Sequence, residues 1–125
     1  MRKNRGNLSA EIRRMVRRIV QRFKPEQVIL IGSHARGDAG PDSDVDFLVV
    51  MRLNGSKREK RLEIRAALRD WPIALDVIVT RPEDYRWRKD VVGTIEWPAA
   101  REGKVLYARA RQASGRGGIG VGSKS

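Results

Sequence analysis

Residues 29–50 constrain the fold of this chain more than any other stretch. An apolar run ends at Gly32-Ser33, a glycine-rich loop follows, and Asp44 and Asp46 open a second apolar run. Side chains two positions apart on a strand point the same way, so both carboxylates are predicted to project from one face. The stretch therefore predicts a strand, a turn large enough for a phosphate, and a second strand whose polar end can hold a hard cation such as Mg²⁺.

The spacing of apolar residues on either side of this stretch predicts alternating helices and strands. Apolar side chains recur with helical period from Ile12 to Phe23, and Ser9 and Pro25 are predicted to begin and end that helix. Strands are predicted at 27–31, 44–51, 73–80 and 105–107, and further helices at 57–69, from 82 onward and at 95–101. This order predicts an α/β or α+β fold, in which a small mixed sheet is flanked by helices in a single domain.

The net charge is strongly positive, at +12, but much of it lies at the chain ends. Residues 1–8 and 109–125 hold seven cations and no acid, which leaves +5 for the body. We predict disorder for residues 1–8 and 111–125 and a folded domain over residues 9–110. A surplus of +5 fits a phosphate-binding enzyme or an acidic protein partner equally well, so nucleic-acid binding is not expected for the folded body.

Arginines fill the arc of the first helix that its apolar stripe leaves open. These residues are Arg13, Arg14, Arg17, Arg18 and Arg22. Such a pattern favours a face of the helix that is exposed to solvent. The other interpretation is a docking surface for an acidic partner or for nucleic acid. The three tryptophans and Tyr85 lie away from the loop in sequence and are expected to pack in the core.

Cysteine is absent from the chain. Disulfides, thiolate zinc sites and cysteine nucleophiles are therefore excluded, and the reducing cytoplasm is the expected location. The basic start is followed by no apolar run, so no signal peptide is predicted. No stretch approaches the ~20 apolar residues that span a bilayer, and no membrane association is expected.

Several side chains around the loop can carry chemistry. The hydroxyl of Ser33 can donate to a phosphate oxygen, although Gly32-Ser33 before a helix is by itself also an ordinary turn. Asp76 lies within the third predicted strand, where it is either exposed at a strand edge or, if that strand neighbours the second, a third carboxylate of the site. It could then accept a proton in two-metal phosphoryl transfer. Arg36 either reaches a phosphate or pairs with Asp38 or Asp42.

The loop also carries a family pattern. Gly32-Ser33, ten intervening residues and then Asp44-Val45-Asp46 resemble the signature of the DNA polymerase β-like nucleotidyltransferase superfamily. The longer strings, Gly-Ser-His-Ala-Arg-Gly-Asp and Ser-Asp-Val-Asp, are similar to those of its minimal nucleotidyltransferase (MNT) branch, as are Leu-Asp-Val-Ile-Val, Val-Gly-Thr-Ile and Arg-Glu-Gly-Lys-Val-Leu-Tyr. The resemblance covers roughly residues 10–108 and implies the polymerase β-like nucleotidyltransferase fold.

The resemblance also implies a reaction. Family members bind a nucleoside triphosphate, here ATP, with two Mg²⁺ ions and transfer a nucleotidyl group to a hydroxyl. By this resemblance Gly32 and Ser33 contact phosphates, Asp44 and Asp46 bind metal, and Asp76 is both ligand and base. MNT proteins act as antitoxins that transfer AMP to a tyrosine of a HEPN ribonuclease toxin. The HEPN motif, an arginine and a histidine with four to six residues between them, would need an arginine at position 27, 28 or 29 before His34; these are Gln, Val and Ile, so the motif is absent and the toxin would be a separate chain in a hetero-oligomer.

Other functions stay open at this point. Related enzymes transfer nucleotides to small molecules, usually with an added helical domain. The chain could instead act as an antitoxin that neutralises its partner by binding alone. It could also bind RNA or DNA through the arginine-lined helix and the basic ends. His34, the only histidine of the chain, is predicted to have no catalytic role.

Overall fold

The computed structural model describes the backbone of residues 2–109 and the side chains of residues 8–109. Within that range, four strands form one mixed sheet in the order β3-β2-β1-β4. The strands are β1 (Gln27–Ile31), β2 (Val45–Val50), β3 (Leu75–Thr80) and β4 (Lys104–Ala108). β1 is antiparallel to β2 and β4, whereas β2 and β3 are parallel. The predicted fold class is confirmed, and all four predicted strands are present.

The first helix, α1 (Arg2–Phe23), begins earlier than predicted. Ser9 lies inside it and is not an N-cap, and the helical backbone extends into the segment 1–8 that the sequence predicted to be disordered. Nothing in that segment stops a helix, because Gly6 is tolerated at a cost of about 1 kcal/mol and no proline is present. The predicted stop is confirmed, since the helix ends two residues before Pro25.

The remaining helices are α2 (Ser33–Arg36), α3 (Lys57–Ala67), α4 (Pro82–Arg88) and α5 (Glu96–Glu102). The hydroxyl of Ser56 caps α3 by accepting a hydrogen bond from the Glu59 N–H at 3.0 Å. The hydroxyl of Thr94 accepts one from the Trp97 N–H at 3.1 Å at the start of α5. These local bonds satisfy N–H groups that have no partner within the helices.

Two apolar layers cover the two faces of the sheet. Helices α1 and α3 pack on one face, over alternate strand residues such as Val28, Phe47 and Val77. The other face carries a smaller cluster, in which Ile29 and Leu48 meet Ala99 of α5. The even-numbered residues of β2 face this second layer, so the Asp46 side chain is on the same side of the sheet.

A buried carboxylate joins α5 to the sheet. Glu96 is 2% exposed and accepts hydrogen bonds from the Thr80 hydroxyl at 2.7 Å and from the Arg88 Nε at 3.0 Å. Burial raises the pKa of Glu96, but these two bonds outweigh it and leave the pKa below its ordinary value. The network therefore favours the ionised carboxylate and holds α4 and α5 on the second face.

Not every aromatic residue is in the core. Trp71 packs against the first layer and Tyr85 against the second, as expected. Trp87 is 56% exposed, so the prediction of core packing is wrong for it. It lies on α4, and the sequence pattern of such a short helix does not decide which of its sides is covered.

The predicted disordered tail at 111–125 lies outside the described residues, as does Met1. Across the part of the chain that the structure describes, no helix is both long and apolar enough to cross a membrane.

Candidate active site

The turn after β1 needs glycine for two reasons. Gly32 has φ 76° and ψ −157°, a region of backbone space that is essentially restricted to glycine. A Cβ at this position would also lie 2.6 Å from Oδ2 of Asp46. The absence of a side chain therefore lets the first strand turn directly beside the carboxylate of the second.

Helix α2 begins at Ser33, as the sequence predicted, and ends after one turn at Gly37. Gly37 has φ 86°, the left-handed conformation typical of a helix C-terminus. The loop beyond it is held by His34, whose Nε2 lies 3.2 Å from the carbonyl oxygen of Ser43. The ring N–H can donate to that carbonyl, so His34 supports the loop that leads into the carboxylates.

Three carboxylates gather where β2 and β3 begin. Asp46 and Asp76 are register partners on these parallel strands, and Asp44 immediately precedes β2. Burial raises the pKa of Asp46, and the charges of Asp76 and Asp44 raise it further, against an opposing effect of His34. Like charges at this spacing repel one another unless a cation lies among them.

Asp76 has specific partners on α3. Its Oδ1 accepts a hydrogen bond from Arg61 Nη2 at 3.0 Å and one from the Val77 N–H at 2.9 Å, and Arg65 Nη1 lies 3.7 Å away. Burial raises the pKa of Asp76, but the bonds from Arg61 and Val77 outweigh it and leave the pKa below its ordinary value. Asp76 is therefore ionised at neutral pH, with Oδ1 held and Oδ2 outside these contacts.

Arg61 also protects the edge of the sheet. Its Nε donates to the backbone carbonyl of Val77 at 2.9 Å while its Nη2 binds Asp76. β3 is an edge strand, so this carbonyl has no neighbouring strand to pair with. The guanidinium of Arg61 thus provides a hydrogen-bond donor for the Val77 carbonyl and also orients the Asp76 carboxylate.

The donor set fits a divalent cation of the Mg²⁺ type. Asp44, Asp46 and Asp76 offer only carboxylate oxygens, which hard cations prefer, and burial together with the charges of Asp76 and Asp44 raises the pKa of Asp46. Within residues 8–109, no three acidic or histidine side chains converge closely enough to enclose a cation as they stand. Small side-chain rotations toward a common centre would be part of binding.

The predicted site residues do not all come together. Gly32 and Ser33 follow the end of β1, and the three aspartates lie at the neighbouring starts of β2 and β3. Arg36 instead pairs with Asp38 at 3.3 Å and approaches Glu102 at 3.8 Å. Of the two partners that the sequence suggested for Arg36, the structure selects Asp38. Its contact with phosphate stays a prediction.

Arg61 and Arg65 were not identified as site residues from the sequence. Their separation of four residues places them on one side of α3, which is visible in the sequence. What the sequence does not contain is the packing of α3 against β3, which brings both guanidinium groups to Asp76.

A groove with a volume of about 1030 Å³ lies on the opposite side of the loop. Its lining includes Leu8, Ile12, Leu30 and Ser43, together with Lys104, but none of the three aspartates. This groove is therefore separate from the carboxylate cluster.

Comparison with known proteins adds a family. The family model described as a nucleotidyltransferase domain matches residues 12–103. A protein of Methanocaldococcus jannaschii, provisionally named a protein adenylyltransferase, is 37% identical over 57 residues, which are 46% of this chain and 57% of the relative. The aligned segment thus spans little more than half the length of that curated relative.

Two solved structures are similar to this one. A protein from Sulfolobus solfataricus, provisionally described as a nucleotidyltransferase, has a TM-score of 0.57 and 22% identity, covering 80% of this chain and 79% of its own. A crystal structure of a toxin–antitoxin with AMP-PNP has a TM-score of 0.50 and 18% identity, covering 82% and 76%. At these identities the likeness concerns the fold alone.

Proposed function

The chain belongs to the nucleotidyltransferase domain family, and from this premise we propose that it is a Mg²⁺-dependent adenylyltransferase acting on a protein hydroxyl. The observation that carries the proposal is the gathering of Asp44, Asp46 and Asp76 at one end of two adjacent parallel strands. Such a cluster, next to the Gly32-Ser33 turn, suits transfer of a phosphoryl-linked group.

Each residue has a role in this proposal. The N–H groups at the start of α2 and the Ser33 hydroxyl bind the phosphates of ATP. Asp44, Asp46 and Asp76 would hold two Mg²⁺ ions, which neutralise the charge on the reacting phosphates when bound. Asp76 is ionised and accepts the proton of the acceptor hydroxyl, whose oxygen bonds to the α-phosphorus as pyrophosphate leaves.

We propose further that the acceptor is a tyrosine of a separate HEPN ribonuclease toxin and that the chain is its antitoxin. Support comes from the MNT-like strings around the loop, from the toxin–antitoxin structure with the same fold, and from the relative that bears an adenylyltransferase name. In this setting the two proteins form a hetero-oligomer, and transfer of AMP inactivates the toxin.

The test combines labelled ATP, Mg²⁺ and a candidate partner encoded beside this chain. We expect label and the mass of AMP on a partner tyrosine, and loss of both in Asp44→Asn/Asp46→Asn. Asp42→Asn is the matched control, because it removes an exposed carboxylate of the same loop outside the cluster. If the inactive double variant still neutralises the partner, the chain acts by binding. If label appears on a small molecule instead, the acceptor assignment is wrong.

A further inference from the structure

Four arginines form a row along one side of α3 and the turn that follows it. Arg58, Arg61, Arg65 and Arg69 are separated by three, four and four residues, the spacing at which helical side chains align. Arg61 and Arg65 fix the direction of the row, because both reach Asp76 on the edge strand β3. We call these four residues the edge arginine row; the contacts of Arg61 and Arg65 place it beside the outer edge of β3, next to Asp76.

Arg61 and Arg65 share the carboxylate of Asp76, whereas the two ends of the row, Arg58 and Arg69, carry positive charge that the described acids do not neutralise. All fifteen Asp and Glu residues lie within the range whose side chains are described. Among these side chains none pairs with Arg58 or Arg69 within 4.0 Å, and both arginines are exposed. One nearby acid of α3, Glu63, pairs with Lys60 at 2.8 Å instead. The row is therefore suited to bind an anion from outside.

The order of the strands decides which substrate this anion belongs to. The Gly32-Ser33 turn follows β1, Asp44 and Asp46 belong to the start of β2, and Asp76 lies on β3 with the row beyond it. Two strand spacings, about 10 Å, separate the turn from the outer edge. An in-line displacement places the attacking and leaving oxygens on opposite sides. With the phosphates of ATP at the turn, the side of the row is that of the acceptor.

We propose that the edge arginine row binds acidic side chains of the acceptor polypeptide, next to the hydroxyl that receives AMP. This inference rests on the proposed function, since that function makes the acceptor a protein. Arginine forks bind carboxylates in a bidentate manner. At Val77 the backbone of the edge is already occupied by Arg61 and Asp76, so side-chain charge and not strand pairing recognises the acceptor there.

The test uses short peptides with one central tyrosine flanked by glutamates, by glutamines or by lysines. Binding is measured by fluorescence anisotropy without nucleotide, and AMP transfer is measured with labelled ATP. The variant Arg58→Gln/Arg69→Gln leaves the contacts of Asp76 intact. Its matched control is Arg13→Gln/Arg17→Gln on α1, which removes two exposed arginines with no ion pair among residues 8–109. Each exposed ion pair between an arginine and a peptide glutamate is expected to change the affinity for the peptide by about two- to fivefold.

We expect the glutamate peptide to bind most tightly to the wild type and roughly tenfold more weakly to the row variant. In the transfer reaction the row variant should change only the KM for the peptide. Its affinity for ATP should be unchanged. Equal weakening by the control variant would overturn the proposal, because net charge alone would then explain binding. Weaker ATP binding in the row variant would assign the row to the donor. Preference for an RNA oligonucleotide over the glutamate peptide would also overturn it. If the wild type binds the acidic peptide but transfers AMP to nothing, the proposed function fails while the row is upheld.

Discussion

Replacing Gly32 by alanine tests the link between the turn and the carboxylates. The backbone at this position has φ 76° and ψ −157°, and an alanine there costs about 1–3 kcal/mol of stability. The added Cβ would lie 2.6 Å from Asp46 Oδ2, and real Cβ contacts are not seen below 3.0 Å. The carboxylate must therefore move by about 0.4 Å to escape overlap and by about 1 Å to reach ordinary contact. A shift of that size can lower a rate about a hundredfold.

Gly37→Ala is the matched control for this substitution. Gly37 is also left-handed, at φ 86°, but nothing lies within 4 Å of the Cβ it would gain. It is expected to lose about 1–2 kcal/mol of stability and to keep its activity. Urea denaturation gives the free energies of unfolding, and AMP transfer with labelled ATP gives the rates. Both variants are measured beside the wild type.

The reasoning is refuted if Gly32→Ala transfers AMP as fast as Gly37→Ala, because the displacement of Asp46 would then have no consequence. A second check compares the effect of Gly32→Ala on the free energy of unfolding in the wild type and in the variant Asp46→Ala. Removing this carboxylate should relieve part of the cost of Gly32→Ala. If the two substitutions add without coupling, the contact between Cβ and the carboxylate is not the source of the cost.

Three further predictions concern side chains outside the carboxylate cluster. Glu96 has a pKa below its ordinary value of 4.5, so the stability it confers is present above that pH and is lost as the pH falls through the lower pKa of the folded state. In Glu96→Gln, the free energy of unfolding by urea should therefore decrease less steeply as the pH is lowered. The same decrease in the variant and the wild type would contradict this. Arg18→Ala removes a guanidinium 4.4 Å from the Trp71 ring and a 3.0 Å bond to a backbone carbonyl of α3, which should cost about 1–2 kcal/mol and change tryptophan fluorescence. Exposed Arg17→Ala should cost under about 0.5 kcal/mol, and equal losses would refute the packing role of Arg18. His34→Ala should lower the free energy of unfolding by about 1 kcal/mol, because the loop loses the 3.2 Å hydrogen bond between His34 and the Ser43 carbonyl. It should also weaken ATP binding, measured by calorimetry. Unchanged affinity would show that this hydrogen bond does not contribute to ATP binding.

Much of the fold could be predicted because its signals are local. The apolar runs of β1 and β2, the period of α1 and the glycine at the turn each depend on neighbours a few residues away. The start of α1 was missed because helix ends depend on small differences in free energy that no residue between 2 and 9 makes decisive. The exposure of Trp87 was missed because it depends on which side of α4 the sheet covers.

By itself the sequence determined the strand–turn–strand unit that carries Gly32, Asp44 and Asp46, since alternation along one strand and the special backbone of glycine are properties of a short segment. Only the tertiary structure decided that β3 pairs with β2, which makes Asp76 the register partner of Asp46. It also decided that α3 packs beside that edge and brings Arg61 to Asp76. Strand order and helix placement follow from burying two faces of one sheet at once, a condition on the whole chain that no local pattern contains.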